Sequence, residues 1–478
     1  MRLSIKVIGL FLGPILFALA LTLQSSEFLN PMAWRVLGVA FWMVAWWISE
    51  AAPLAVTALL PIILFPALGV FEVKEATAPY ASPVIFLFMG GFFIALGLEE
   101  HGLHKRIALG LIKITGTSAN GIILGFMIAT GFLSMWISNT ATTIMMLPIA
   151  ASVVKLVEHE SLDSNGFSKF ALALMLGIAY SANIGGLATI IGTPPNVVFA
   201  GYAQQLLHTE IGFADWMIVG VPISLVLLTI TFLLLTQVLH RNHLGQMSNA
   251  KALIEKEIKK LGSWKKEEKW VATVFGLTAF MWIFKEPLNN LIGIKLLNDT
   301  VTAMIGGLLM FIIPLDGRAE KKLLIWRATE RLPWGILLLF GGGMTLAKGM
   351  EKTGIVNVIS HIISENHFHV VIIFLILIAA MLFLTELMSN VALATVFIPI
   401  VIAIAEGAQI NPLVLSIPVA MAASCAFMMP ISTPPNAIVF SSGHIRMMQM
   451  VKAGIWLNII SVVVLLMGAF SLIEWIFG

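Results

Sequence analysis

Residues 192–196 read Gly-Thr-Pro-Pro-Asn, and residues 432–436 read Ser-Thr-Pro-Pro-Asn. Each motif lies within a long apolar segment, 170–206 or 412–441, that is nearly twice the length of one membrane span. Because two successive prolines cannot continue a helix, each segment is predicted to split into two half-helices joined by an unwound turn. Non-helical backbone at membrane depth is tolerated only inside protein or beside a wet cavity. The two motifs therefore predict a buried core of broken helices.

The composition points to lipid as the solvent. Hydrophobic residues make up 59% of the 478 and charged residues only 11%, against about 25% charged in soluble domains. At about 20 apolar residues per span, the chain has room for about ten or more transmembrane helices. The single cysteine, Cys425, excludes an intrachain disulfide and a cysteine-rich metal site. A net charge of +3 gives no support for nucleic-acid binding.

A second pair of interruptions repeats in the same order. Segment 120–156 breaks at Ser138-Asn139-Thr140, and segment 367–405 breaks at Ser389-Asn390-Val391. A glycine-rich span, a Ser-Asn break and a Thr-Pro-Pro-Asn break thus follow one another twice, which indicates an internal duplication. Doubled, broken segments in corresponding places of two halves are typical of inverted-repeat transporters.

The topology follows if 120–156 and 367–405 are re-entrant hairpins. The rest predicts an all-α polytopic membrane protein with about eleven transmembrane helices, near 7–24 (an uncleaved first span), 34–49, 52–71, 83–98, 170–206, 214–238, 270–284, 296–314, 333–349, 412–441 and 452–476. With a cytoplasmic N-terminus and a periplasmic C-terminus, 22 of the 28 Lys and Arg lie on the cytoplasmic side. This asymmetry agrees with the positive-inside rule. The first hairpin then opens to the cytoplasm and the second to the periplasm, so the repeats are inverted.

The predicted organisation has five parts. They are N-terminal, mainly scaffold spans (1–82), a first repeat unit (83–239), a cytoplasmic linker (240–269), further scaffold spans (270–332) and a second repeat unit (333–478). Two amphipathic stretches, 103–114 and 348–363, are expected to lie along opposite membrane interfaces.

The four breaks favour an anion bound together with cations. Half-helix N-termini present free N–H groups that suit a carboxylate, and unwound turns present carbonyls that suit Na⁺. No Lys or Arg lies near the breaks, so co-bound cations and backbone dipoles would have to hold the anion. Glu386 is an intramembrane acid, for which a functional role and a structural pairing both stay open.

These motifs resemble the divalent anion/sodium symporter family, which includes the bacterial INDY-type dicarboxylate transporters. The stretch 423–443, ASCAFMMPISTPPNAIVFSSG, is especially similar, and the resemblance covers nearly the whole chain. It implies an elevator-type carrier in the inner membrane, a homodimer surrounded by lipid, with Na⁺ as the co-transported ion.

The resemblance also implies the site residues. The first sodium site would use Ser134, Ser138, Asn139 and Gly192, and the second Thr385, Met388, Asn390 and Ser432. The substrate carboxylates would contact Asn139, Thr140, Asn390 and Val391, with Thr193, Pro194, Thr433 and Pro434 closing the site. Val391 departs from the threonine of some bacterial members, which removes one hydroxyl from the predicted substrate contacts.

The expected function is sodium-coupled symport of C4-dicarboxylates such as succinate, malate or fumarate. A sodium-independent dicarboxylate exchanger and a sulfate or oxyanion carrier are the alternatives. A membrane-embedded enzyme would need a nucleophile with a base, or a metal cluster. The broken segments contain no His and have a single acid, Glu386, close to a break, so the chain is predicted not to be an enzyme.

Overall fold

The computed structural model describes residues 5–23, 29–160, 163–293, 297–316, 320–365 and 369–478. Within these ranges the chain is helical, without a β-strand. Parts of the predicted segments 1–82, 7–24, 83–239, 270–332, 296–314, 333–478 and 367–405 lie outside the described residues.

The α-helices are α1 (Ile5–Thr22), α2 (Pro31–Ser49), α3 (Leu54–Thr57), α4 (Leu60–Ala67), α5 (Val73–Thr77), α6 (Pro83–Glu100), α7 (Leu103–Ile114), α8 (Ala119–Ser134), α9 (Asn139–Glu160), α10 (Ser164–Gly186), α11 (Pro194–Leu206), α12 (Phe213–Leu233), α13 (Ser248–Leu261), α14 (Lys266–Ile283), α15 (Lys285–Ile292), α16 (Asp299–Ile312), α17 (Trp334–Lys352), α18 (Ile355–Glu365), α19 (Val370–Leu384), α20 (Asn390–Gly407), α21 (Pro412–Ala422), α22 (Pro434–Phe440), α23 (Met447–Gly468) and α24 (Glu474–Phe477). Short 3-10 turns cover Ala78–Ala81 and Trp326–Arg331, and π-helical turns follow α12 and α23 at Leu234–Leu239 and Ala469–Ile473.

All four long segments are interrupted at their motifs. The first hairpin turns between α8 and α9, and the second between α19 and α20. The prolines of the Thr-Pro-Pro-Asn motifs stand at the first positions of α11 and α22, where a missing N–H costs no helical hydrogen bond.

Eight helices of the described part are long and apolar enough to cross a membrane, or nine if the bent pair α14 and α15 counts as one span. Other predicted spans are built from shorter helices. The predicted span 52–71, for example, is divided between α3 and α4. The chain is thus a membrane protein, and the figure of eleven spans stays a prediction.

The two broken helices form the centre of the molecule. Every residue in 170–190 and in 414–427 is buried. Both arms of the first hairpin pack against α10, and both arms of the second hairpin pack against α21. The second arm of each hairpin also contacts the other half, because α9 packs against α22 and α20 packs against α11. The first unwound turn is therefore enclosed by protein, as its polar backbone requires, whereas the second is partly open, with Ile431 78% exposed.

The helix bounds refine two sequence predictions. The stretch 103–114 is α7, but 348–363 is divided between α17 and α18, because the chain turns at Gly354, whose φ is +76°. The linker 240–269 contains a helix, α13, that packs against both α7 and α9.

Candidate functional site

The first hairpin tip joins a hydroxyl to an amide. The Ser134 hydroxyl, at the end of α8, donates to Asn139 Oδ1 over 2.5 Å. The Ser138 hydroxyl accepts from the backbone N–H of Ala141 at 3.2 Å and so caps the start of α9. Three side-chain oxygens of the predicted first sodium site thus lie on one short turn.

The Asn139 amide lies against the unwound turn between α10 and α11. A Cβ added to Gly186 would meet Asn139 Oδ1 at 2.9 Å and the Gly192 carbonyl oxygen at 3.1 Å. Only a glycine at position 186 lets the hairpin tip approach the turn this closely. The structure therefore brings together Ser134, Asn139 and Gly192, three of the four predicted ligands, around the same point.

The second hairpin tip repeats this arrangement. The Thr385 hydroxyl lies 2.7 Å from Asn390 Oδ1 and 2.8 Å from the Ala423 carbonyl oxygen, so its single O–H is shared between two acceptors. The Ser432 hydroxyl donates to the Met429 carbonyl at 2.6 Å. Met388 lies half-buried in the turn before α20. In both halves a hydroxyl five residues before the tip asparagine holds that asparagine's oxygen.

The predicted substrate residues lie at the starts of the half-helices and of the second hairpin arms. Thr140 and Val391 are half-buried, each directly after its tip asparagine. Thr193 and Thr433 are the N-caps of α11 and α22. Pro194 and Pro434 follow at the first helical positions, half-buried and exposed respectively.

Hydrogen bonds cross between the two halves at these caps. The Thr193 hydroxyl lies 3.1 Å from the Ser424 hydroxyl. Asn183 on α10 donates to the Ala426 carbonyl and to the Thr433 hydroxyl, both at 3.2 Å. The two unwound turns consequently touch, and the two predicted sodium sites belong to one continuous polar region.

This region has one charged side chain and no basic one. Segments 134–140, 183–196, 385–391 and 423–436 contain no Lys or Arg and a single acid, Glu386. Carbonyl, hydroxyl and amide oxygens are the hard ligands that suit Na⁺, and free N–H groups at helix starts suit a carboxylate. The arrangement can hold an anion only through dipoles and co-bound cations.

Glu386 is buried and fully engaged. Its carboxylate accepts from the backbone N–H groups of Phe427 (2.7 Å), Met428 (2.9 Å) and Met429 (3.1 Å). The buried Asn458 amide on α23 donates to it at 2.8 Å. Three of these bonds tie Glu386 to the second unwound turn and the fourth ties it to α23, so Glu386 has a structural pairing directly beside the second predicted sodium site.

Sequence reasoning missed several polar side chains that shape the site: Asn183, Asn196, Ser424, Asn436 and Asn458. For Asn196 and Asn436 the signal was present, because both belong to the repeated motif. Asn183 and Asn458 stand alone in apolar helices, where only burial among other polar groups distinguishes them from packing contacts.

Comparison with known proteins agrees with this geometry. The family model for the sodium:sulfate symporter transmembrane region matches residues 5–477. A sodium-dependent dicarboxylate transporter, SdcS, of Staphylococcus saprophyticus is 41% identical, with 99% of this chain and 92% of the relative covered. Its Staphylococcus aureus counterpart is 40% identical over the same shares.

Two solved structures share the fold. The Alcanivorax borkumensis YdaH transporter has a TM-score of 0.59 at 11% identity, over 99% of this chain and 98% of that one. Neisseria gonorrhoeae MtrF, described as illuminating a class of antimetabolite efflux pumps, has a TM-score of 0.55 at 12% identity, over 85% and 83%. The full-length family match and the close relatives show that the chain belongs to the sodium:sulfate symporter family, the divalent anion/sodium symporters that its motifs resemble.

Proposed function

We propose that this protein is a secondary active transporter that carries C4-dicarboxylates such as succinate, malate or fumarate together with sodium. One observation carries the proposal. Two hairpin tips present Asn139 and Asn390 to two unwound turns that touch each other, and no basic side chain occurs in these segments. The staphylococcal relatives bear the name sodium-dependent dicarboxylate transporter, which agrees with it.

Each tip asparagine serves cation and substrate together. Its Oδ1 faces the hydroxyl of Ser134 or Thr385 on the cation side, and its Nδ2 group is a donor for a substrate carboxylate. Sodium supplies the positive charge that the side chains lack. Moving a dianion inward against an interior-negative potential costs about 4.6 kcal/mol per 100 mV, at about 2.3 kcal/mol for each charge. Uptake therefore needs two or more sodium ions, and three would make it electrogenic.

The moving unit carries both hairpins. Each second arm packs against the half-helix of the opposite repeat, which supports a single body for the whole site. This body slides against a scaffold as an elevator, with α7 and the stretch 348–363 as the connecting arms. The carrier works as a homodimer in the inner membrane, with its N-terminus cytoplasmic and its C-terminus periplasmic.

The test is radiolabelled succinate uptake by purified protein in proteoliposomes. An inward sodium gradient should drive uptake, and replacing sodium by potassium or choline should abolish it. Uptake that persists without sodium, and depends on succinate loaded inside, would instead identify an exchanger. Competition by unlabelled sulfate stronger than by malate or fumarate would identify an oxyanion carrier.

A further inference from the structure

Two asparagines without an assigned role stand at equivalent places in the two halves. Asn196 and Asn436 are the third residues of α11 and α22, directly after the two prolines, and both are fully buried. A buried carboxamide in an apolar protein is costly unless its polar atoms are bonded, so each one calls for an explanation.

Their hydrogen bonds follow the same pattern. Asn196 Nδ2 donates to the carbonyls of Gly186 (3.1 Å) and Thr189 (2.9 Å), ten and seven residues earlier. Asn436 Nδ2 donates to the carbonyls of Ala426 (3.0 Å) and Met429 (3.1 Å), again ten and seven residues earlier. Asn436 also donates to the Ser432 hydroxyl at 3.2 Å. In each half one NH₂ group ties the start of the second half-helix to two carbonyls before it.

We propose that Asn196 and Asn436 are positioning residues for the two cation-binding turns, which they hold in shape through their NH₂ donors. This inference rests on the proposed sodium-coupled function. The turn that Asn196 spans contains Gly192 and begins at Gly186, which the Asn139 amide contacts. The turn that Asn436 spans contains Ser432, a predicted ligand of the second sodium ion.

The oxygens of these amides support a donor role. Within the described part of the chain, Asn196 Oδ1 and Asn436 Oδ1 are buried and accept no hydrogen bond. An unpaired buried acceptor is unfavourable, so the side chain keeps this orientation because its donors are needed at the carbonyls. An aspartate variant keeps the side-chain oxygen and loses the NH₂ donors. It therefore tests the roles of the two ends of the amide separately.

The experiment compares Asn196→Ala, Asn196→Asp, Asn436→Ala and Asn436→Asp with the wild type in proteoliposomes that take up radiolabelled succinate at varied external sodium. The matched control is Asn289→Ala, because Asn289 is also buried and pairs with backbone through both ends of its amide, but lies outside the broken segments. The readouts are the sodium concentration for half-maximal uptake, the KM for succinate at saturating sodium, and the sodium-dependent rise in Tm.

All four variants should need about tenfold more sodium, because each loses at least two hydrogen bonds that shape a turn. The KM at saturating sodium should change by less than about threefold, since saturating sodium restores the turn. The control should keep the wild-type sodium dependence. Aspartate variants with a normal or lowered sodium requirement would overturn the donor role and indicate that Oδ1 itself binds the ion.

Two further outcomes are decisive. If all four variants are lost from the membrane fraction while Asn289→Ala is retained, the asparagines serve general folding and the specific role is wrong. If wild-type uptake does not depend on sodium, the proposed function is wrong, whatever sodium dependence the variants have.

Discussion

The two unwound turns differ although their hairpin tips are alike. Seven residues separate α10 from α11, whereas eleven separate α21 from α22. The first turn satisfies its own backbone, because the N–H groups of Leu187 and Ala188 donate to the Ile184 and Gly185 carbonyls. The second turn leaves its corresponding N–H groups to a carboxylate, that of Glu386.

The residue that directly follows Ser134 or Thr385 explains this difference. Glu386 follows Thr385, and the residue that follows Ser134 is Met135, whose carbonyl merely accepts from the Thr189 hydroxyl. At these corresponding positions one half thus uses local hydrogen bonds, and the other uses the carboxylate of Glu386. Duplicated halves can keep the same tip chemistry while their supporting contacts diverge.

The largest expected effect tests what the halves share. Asn139→Ala and Asn390→Ala should each lower succinate uptake by about a hundredfold or more, because each loses charge-assisted contacts of about 1.5–3 kcal/mol to ion and substrate. Initial uptake rates measure this, and Asn411→Ala, at the exposed N-cap of α21, is the control. Near-normal uptake by either variant would show that this asparagine serves packing only and that the two hairpin tips are not equivalent.

The next prediction tests what the halves do not share. Glu386→Gln should raise the sodium requirement about tenfold or more and lower the Tm, because the charged partner of three N–H groups is lost at about 1.5–3 kcal/mol per bond. Met135→Leu, the matching position in the first half, should change neither. An unaltered Tm and sodium requirement for Glu386→Gln would show that the second turn supports itself.

A smaller contrast is expected between the tip hydroxyls. Thr385 has two acceptors within reach and Ser134 has one. Thr385→Val should therefore raise the sodium concentration for half-maximal uptake more than Ser134→Ala does, by about 1 kcal/mol or about fivefold. Sodium titrations of uptake compare the two variants. The reverse order would contradict the geometry of the second tip.

The smallest effect concerns Val391, which lacks the hydroxyl that Thr140 provides in the first half. Val391→Thr should lower the KM for succinate about two- to twelvefold, since one added hydrogen bond contributes about 0.5–1.5 kcal/mol. Thr140→Val should raise it by a similar factor. A KM that does not respond to either change would remove both positions from the substrate contacts.

The breaks in the helices could be predicted from the sequence because proline acts locally. Two successive prolines cannot continue a helix that precedes them, so Pro194 and Pro434 each begin a new helix, and the repeated motif marks them as a pair. The length of each turn could not be predicted in this way. The second turn depends on Glu386, whose partners lie 41 to 72 residues away and meet it only in the folded protein.

The predicted ligand residues show a similar limit. The repetition of Ser-Asn indicated the tips, yet the approach of Asn139 to the turn depends on Gly186, outside the quoted motif. The roles of Asn183 and Asn458 depend on hydrogen bonds to groups that are distant in the sequence. The sequence pattern predicts where the helices break. Which polar side chains surround each break depends on how the helices pack.

The hydrogen bonds between the two turns have a thermodynamic consequence. Because Thr193 contacts Ser424 and Asn183 contacts Thr433, an ion that orders one turn also removes freedom from the other. The second ion then meets a smaller entropy loss, which is positive cooperativity without a change of shape. Sodium activation should accordingly have a Hill coefficient above one, and Ser424→Ala should bring it closer to one. A coefficient that Ser424→Ala leaves unchanged would mean that the contact between Thr193 and Ser424 does not couple the two ions.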